Sequence, residues 1–177
     1  NEKASTMFFN LQSDGSGKDA INIEHGGSRY GIREDTFDMI DIEPGISREK
    51  RHLKLDGIEI FNFALREVSA NVNELYSNAN QNKDETDLFI FHQANKLINE
   101  SVRKKLKIAD TSKVLYSLEK YGNTSSASIP LTLVTEAIAT LTSKGNNLCL
   151  SGFGVGFSWG SALIKTQPLV CLPLIEI

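Results

Sequence analysis

With 177 residues, 40% of them hydrophobic and 23% charged, the chain has material for one globular domain with its own core, or for half of a larger one. A formal charge of −3, from 19 basic and 22 acidic residues, argues against a general nucleic-acid binder and restricts any basic site to a local patch. Cys149 and Cys171 lack Cys-x-x-Cys spacing and companion histidines, so neither a disulfide framework nor a zinc site is suggested, and no apolar run reaches the roughly 18 residues of a membrane span. A soluble protein in a reducing, cytoplasmic setting is expected, with no metal and no membrane or nucleic-acid partner.

The chain opens without Met, on no signal peptide, directly on a strand-like segment at residues 5–12, as a piece of a longer protein would. A Gly/Ser/Asp turn at 13–20 leads to the short apolar run Ile21-Asn22-Ile23. Residues 25–51 are polar, rich in turn formers and without period, which predicts a long surface excursion. From Gly57 the apolar positions Ile58, Phe61, Leu65, Val68, Val72 and Leu75 recur at steps of three and four and predict an amphipathic helix of about five to six turns. After a polar linker at 77–86, Asp87 to Phe91 reads as a buried strand ending on His92, and residues 95–106 as a helix. A further strand is expected over Val114 to Leu118, a turn at Tyr121-Gly122-Asn123, and a helix over Ser126 to Leu141 with Pro130 near its first turn. Two last strands, 147–153 and 157–166, are joined by Gly154-Val155-Gly156. The interleaving predicts an α/β architecture, a mixed β-sheet layered with helices.

His92 stands where a strand gives way to a helix, the place where α/β sheets gather ligands, and its imidazole can donate a hydrogen bond or exchange a proton near neutral pH. A lone histidine there also fits a purely structural use. Asn123 and the hydroxyls after it, Thr124 to Ser128, lie on the next strand-to-helix connection, where they equally fit turn and capping chemistry. Two neutral donors on successive connections can converge on one oxygen and stabilise an enolate or oxyanion. The glycines Gly154, Gly156 and Gly160 are spaced one residue too widely for a dinucleotide fingerprint and suit a tight β-turn with close backbone approach.

The ordered segments Phe91-His92-Gln93-Ala94-Asn95, Tyr121-Gly122-Asn123-Thr124-Ser125 and Phe153-Gly154-Val155-Gly156-Phe157-Ser158-Trp159-Gly160-Ser161-Ala162 resemble the signatures of the C-terminal half of the type III β-ketoacyl-acyl-carrier-protein synthases. The match is best over 50–166, and the tail at 167–177 follows only in general character. The resemblance implies a thiolase-like half of a homodimeric condensing enzyme in fatty acid biosynthesis, whose nucleophilic Cys comes from its own N-terminal half. It implies catalytic roles for His92 and Asn123 as donors to a malonyl thioester carbonyl. Phe153, Gly154, Val155 and Gly156 would line the oxyanion hole and acyl pocket, with Val155 where relatives generally carry Gly. Gly57, Phe61 and Asn95 would contact substrate, and Arg103, Lys104 and Lys105 would meet the acidic acyl carrier protein. No cofactor is implied beyond coenzyme A thioesters and phosphopantetheine-linked substrates, with acyl-CoA and acyl carrier protein as partners. Relatives often carry a basic residue where this chain has Asn62 and Leu97, and a solvated helix face explains the basic cluster equally well. The alternatives are a non-catalytic thiolase-like module that binds acyl chains or carrier protein, and a related synthase of secondary metabolism.

Overall fold

A computed structural model describes residues 5–175. The described chain divides into two compact units, one formed by residues up to 12, 61–153 and 159 onward, the other by 13–60 and 154–158.

The first unit is built on a four-stranded sheet in the order β1-β8-β7-β6, with β1 at Met7–Ser13, β6 at Leu88–Phe91, β7 at Asn147–Gly154 and β8 at Ser158–Lys165. β6 and β7 run parallel, Leu88 opposite Leu148 through Phe91 opposite Ser151. All four residues of β6 are buried. Leu88 and Ile90 pack with Leu148, Ala137 and Leu141, while Phe89 and Phe91, alternating to the other face, are buried as well. This double burial is why DLFIF is a continuous apolar run and not an alternating one. Asp87 pins the start of the parallel pair, since its N–H donates to the Asn147 carbonyl at 2.9 Å and its carboxylate accepts from the Asn147 N–H at 2.8 Å.

The long helix predicted from Gly57 is present as α1, Gly57–Phe63, a π-helical segment Ala64–Val68, and α2, Ser69–Ala79. Its buried stripe is Ile60, Phe63, Ala64, Val68, Val72, Leu75 and Tyr76, whereas Ile58 is 77% exposed. The wide π turn takes up one extra residue and moves the stripe before it back by one position, from 58/61/65 to 60/64. α3 runs Lys96–Lys105, and α4 is the single turn Leu118–Tyr121. The strand expected over Val114 to Leu118 is reduced to one parallel bridge between Val114 and Phe89. The helix expected over Ser126 to Leu141 divides into a 3-10 turn Ser125–Ala127, α5 Ser128–Glu136 and α6 Ile138–Ser143, with the break at buried Ala137, whose φ is −112°.

In the second unit the 25–51 excursion has structure of its own. β3, Ile40–Glu43, pairs antiparallel with β4, Ile46–Arg48, and β2, Ile21–Ile23, pairs antiparallel with β5, Leu53–Leu55. Arg48 binds Glu24 at 2.8 Å, and His25 Nδ1 lies 3.0 Å from the Thr36 hydroxyl. Asp56 caps α1 by accepting from the Glu59 N–H at 2.9 Å.

Candidate active site

His92 follows directly on β6, and its backbone N–H continues the ladder by donating to the Ser151 carbonyl of β7 at 2.8 Å. The ring is half-buried and packs edge-on against Phe153, with centroids 5.2 Å apart and planes at 88°. Its Nδ1 lies 2.8 Å from the Ser128 hydroxyl. Burial pushes the imidazole below its ordinary value of 6.5, and the nearby Ser125 backbone opposes this in part. The ring is therefore neutral at neutral pH and carries a single N–H.

Asn123 follows Gly122, whose φ of 68° with ψ of −159° is a conformation only glycine adopts without strain. The Asn123 side-chain oxygen accepts from the Ser125 N–H at 2.9 Å, closing an Asx turn. That bond occupies the carbonyl end and leaves the exposed amide as a pair of donors. Ser125 thus bonds the Asn123 side chain through its N–H, while the His92 ring is held by Ser128, three residues further along the same connection. Neither has a charged hydrogen-bond partner among the described residues.

A buried polar scaffold stands behind this pair. Gln93 is 0% exposed, and its amide donates to the Phe91 carbonyl at 2.8 Å and the Leu115 carbonyl at 3.4 Å. Its oxygen accepts from the N–H groups of Ser117 and Leu118 at 3.1 and 3.3 Å. The Ser117 and Thr132 hydroxyls are 2.7 Å apart, and Thr132 donates to the Ser128 carbonyl at 2.8 Å. Gln93 therefore joins the end of β6 to the segment leading into Asn123, and the hydroxyl chain joins that segment to α5. Nothing in the sequence marks Ser117 or Thr132, and Ser128 suits turn and capping chemistry there as well as a functional role. The signal available for Gln93 was its place inside the His92 motif.

The remaining site residues fall as follows. Phe153 lies in β7 and also packs against Phe63, centroids 6.4 Å apart. Gly154, Val155 and Gly156 belong to the second unit, where Val155 is 61% exposed. Gly156 has φ of 134°, and a Cβ there would stand 2.9 Å from the Ser158 hydroxyl. Gly57, also in the second unit, opens α1, and Phe61 is half-buried. Asn95 caps α3, its side-chain oxygen accepting from the Ile98 N–H at 2.8 Å. Arg103, its side chain only 12% exposed, binds Glu100 at 2.9 Å and the Ile108 carbonyl at 2.7 Å. Lys105 donates to the Leu65 carbonyl in the π segment at 2.8 Å, while Lys104 is exposed and forms no side-chain hydrogen bond or salt bridge among the described residues. Cys149 is fully buried, and burial pushes its thiol up to about 12. No cluster able to hold a metal ion, and no helix long and apolar enough to cross a membrane, occurs among the described residues.

Residues 76–166, which hold His92, Asn123 and the glycine loop, match the model of the 3-oxoacyl-[acyl-carrier-protein] synthase III C-terminal family. The chain belongs to that family. β-Ketoacyl-[acyl-carrier-protein] synthase III of Prochlorococcus marinus strain MIT 9215 is 39% identical over 166 residues, covering 93% of this chain and 47% of the relative. The namesake from Rhodopirellula baltica is 36% identical over 159 residues, covering 90% and 43%. In three dimensions the chain is similar to the crystal structure of 3-oxoacyl-(acyl-carrier protein) synthase from Burkholderia xenovorans LB400, with TM-score 0.83, 35% identity, and 96% of this chain and 46% of the other covered. The chain thus spans about half the length of the synthase III relatives it matches. Its fold is that of the C-terminal half of a thiolase-type condensing enzyme, the α/β class expected from the sequence.

Proposed function

We propose that the chain is the C-terminal half of a 3-oxoacyl-[acyl-carrier-protein] synthase III that joins an acyl-CoA primer to malonyl-acyl-carrier protein by decarboxylative Claisen condensation in fatty acid biosynthesis. The observation that carries this reading is the neutral His92 bonded to Ser128, on the same connection where the Asn123 carbonyl is occupied by the Ser125 N–H and its amide stays open. Neutral donors suit an oxygen that is uncharged in the bound thioester and becomes negative in the enolate, because the gain is then greatest in the transition state.

In this mechanism a Cys thiolate of the N-terminal half takes the acyl group from coenzyme A, which leaves as its thiol. His92 and Asn123 donate to the malonyl thioester carbonyl oxygen. The bond to the terminal carboxylate breaks, carbon dioxide departs, and its electron pair forms the enolate. The enolate carbon attacks the acyl-Cys carbonyl, and collapse of the tetrahedral adduct expels the thiolate and frees 3-oxoacyl-carrier protein. The Val155 N–H serves as an oxyanion donor, and Phe153, Gly154 and Gly156 line the acyl pocket with it. Gly57, Phe61 and Asn95 contact substrate. The enzyme works in the cytoplasm as a homodimer, with the two halves of each chain packed together.

The test is made in the full-length protein. His92→Ala and Asn123→Ala should each lower decarboxylation and condensation on the order of 100- to 1000-fold, as expected for loss of a donor to developing charge. Acyl transfer to the Cys should fall far less. Equal losses in the two half-reactions would assign both residues a structural role instead.

A further inference from the structure

The synthase reading needs His92 to act as a donor, and a neutral imidazole donates from only one of its two nitrogens. Its Nδ1 is engaged with the Ser128 hydroxyl at 2.8 Å, and no other group among the described residues lies at hydrogen-bonding geometry to either ring nitrogen, so Nε2 is left to meet a substrate. What Nε2 carries is decided by which way the hydrogen lies between Nδ1 and Ser128.

Ser128 is 1% exposed and opens α5. Its carbonyl is bonded by the Thr132 hydroxyl at 2.8 Å, and Thr132 in turn meets Ser117 at 2.7 Å, so the backbone that carries the Ser128 side chain is fixed. The hydroxyl itself has no side-chain or backbone partner among the described residues other than His92 Nδ1. A buried O–H finds an acceptor, because leaving it without one costs about 1–3 kcal/mol. If Nδ1 carried the proton it would donate to the Ser128 oxygen and strand the serine hydrogen. If Nδ1 is bare, it accepts that hydrogen and both groups are satisfied.

We propose that Ser128 is a positioning residue that donates to His92 Nδ1 and thereby holds the ring as the Nε2–H tautomer, the form that can donate to the thioester oxygen. This rests on the synthase reading for its purpose, though not for its geometry. No protein group has to move a proton before the reaction begins, since the donor is set in the resting site.

The full-length protein, labelled with nitrogen-15 in histidine, provides the test, with the His92 signals assigned by their loss in His92→Asn. At neutral pH the parent should show Nε2 protonated and Nδ1 bare. Ser128→Ala should shift His92 toward Nδ1–H and lower decarboxylation of the malonyl thioester roughly 10- to 100-fold, with self-acylation lowered about threefold at most. Ser128→Thr keeps the hydroxyl and should keep the parent tautomer. An Nδ1–H signal in the parent, or an unchanged tautomer in Ser128→Ala, overturns the proposal. Should Ser128→Ala fail to fold, the parent spectrum decides alone. A parent that shows the expected tautomer yet condenses nothing refutes the synthase reading and leaves the role of Ser128 standing.

Discussion

At the scale of single residues, two environments decide chemistry that composition cannot. His92 is depressed by burial, so folding disfavours its protonated form. Its contribution to stability is complete above its ordinary value of 6.5, where folded and unfolded chains are both neutral there. As pH falls below 6.5 the unfolded state binds the proton first, and stability is lost until pH passes the lowered folded value. Replacing it in the full-length protein by His92→Asn should flatten the change in denaturation midpoint between about pH 7.5 and about pH 5.5. A parallel pair of profiles would show that the ring titrates as it does in solvent. Cys149, pushed up to about 12, is the opposite of an activated thiol. The chain incubated alone with radiolabelled acetyl-coenzyme A should form no stable acyl-protein, and a stoichiometric adduct on Cys149 or Cys171 would defeat the assignment of the nucleophile to another segment. His92 and Asn123 were legible because each sits in a short motif at a strand-to-helix connection. Ser128 and Thr132 were not, because a hydroxyl at a helix start reads the same whether it caps the helix or reaches a ring thirty-odd residues away in sequence.

Elements came through where one apolar pattern runs unbroken. β6 was visible as a short apolar run, and α3 as the helix expected over 95–106. The helix from Gly57 was visible in length but misplaced in phase over its first turns, since nothing in ALREV announces a π segment. The Val114 strand failed for a different reason. The backbone there is diverted after one bridge because Ser117 and Leu118 turn their N–H groups to the buried Gln93 side chain, which takes the place of a ladder. Gln93→Leu in the full-length protein would leave those two N–H groups without partners and should lower stability by about 2–4 kcal/mol. The urea midpoint measures it; a change under about 0.5 kcal/mol would mean that water replaces the amide without loss. The same variant should blunt condensation, because the strut that spaces His92 from the Asn123 segment is gone.

Across the whole molecule, two surfaces bear on partners. Met7, Phe9 and Leu11 share one face of β1 and all three are exposed, a row that soluble proteins ordinarily cover. Covering by the chain's own N-terminal half fits the proposed enzyme. The second surface is α3 and the residues just after it, where five basic residues from Lys96 to Lys107 oppose Glu100 within a chain of net charge −3. The structure divides that cluster. Arg103 is held by Glu100 and the Ile108 carbonyl, and Lys105 by the Leu65 carbonyl, so both have internal work. Lys104 is the member of the expected trio left exposed and without a bonded partner among the described residues, which makes it the best placed to meet an acidic carrier. Charges at a rim act mainly by steering the encounter, so Lys104→Glu should slow carrier-dependent turnover of the full-length protein at low salt by roughly 3- to 10-fold and weaken its salt dependence. Turnover with malonyl-coenzyme A in place of the carrier-bound substrate should stay near the parent value, because the chemistry is untouched. Lys105→Glu in addition removes the bond to the π segment, so it should lower the denaturation midpoint where Lys104→Glu does not. If Lys104→Glu leaves carrier-dependent turnover unchanged at low salt, this helix end is a solvated face and the carrier docks elsewhere.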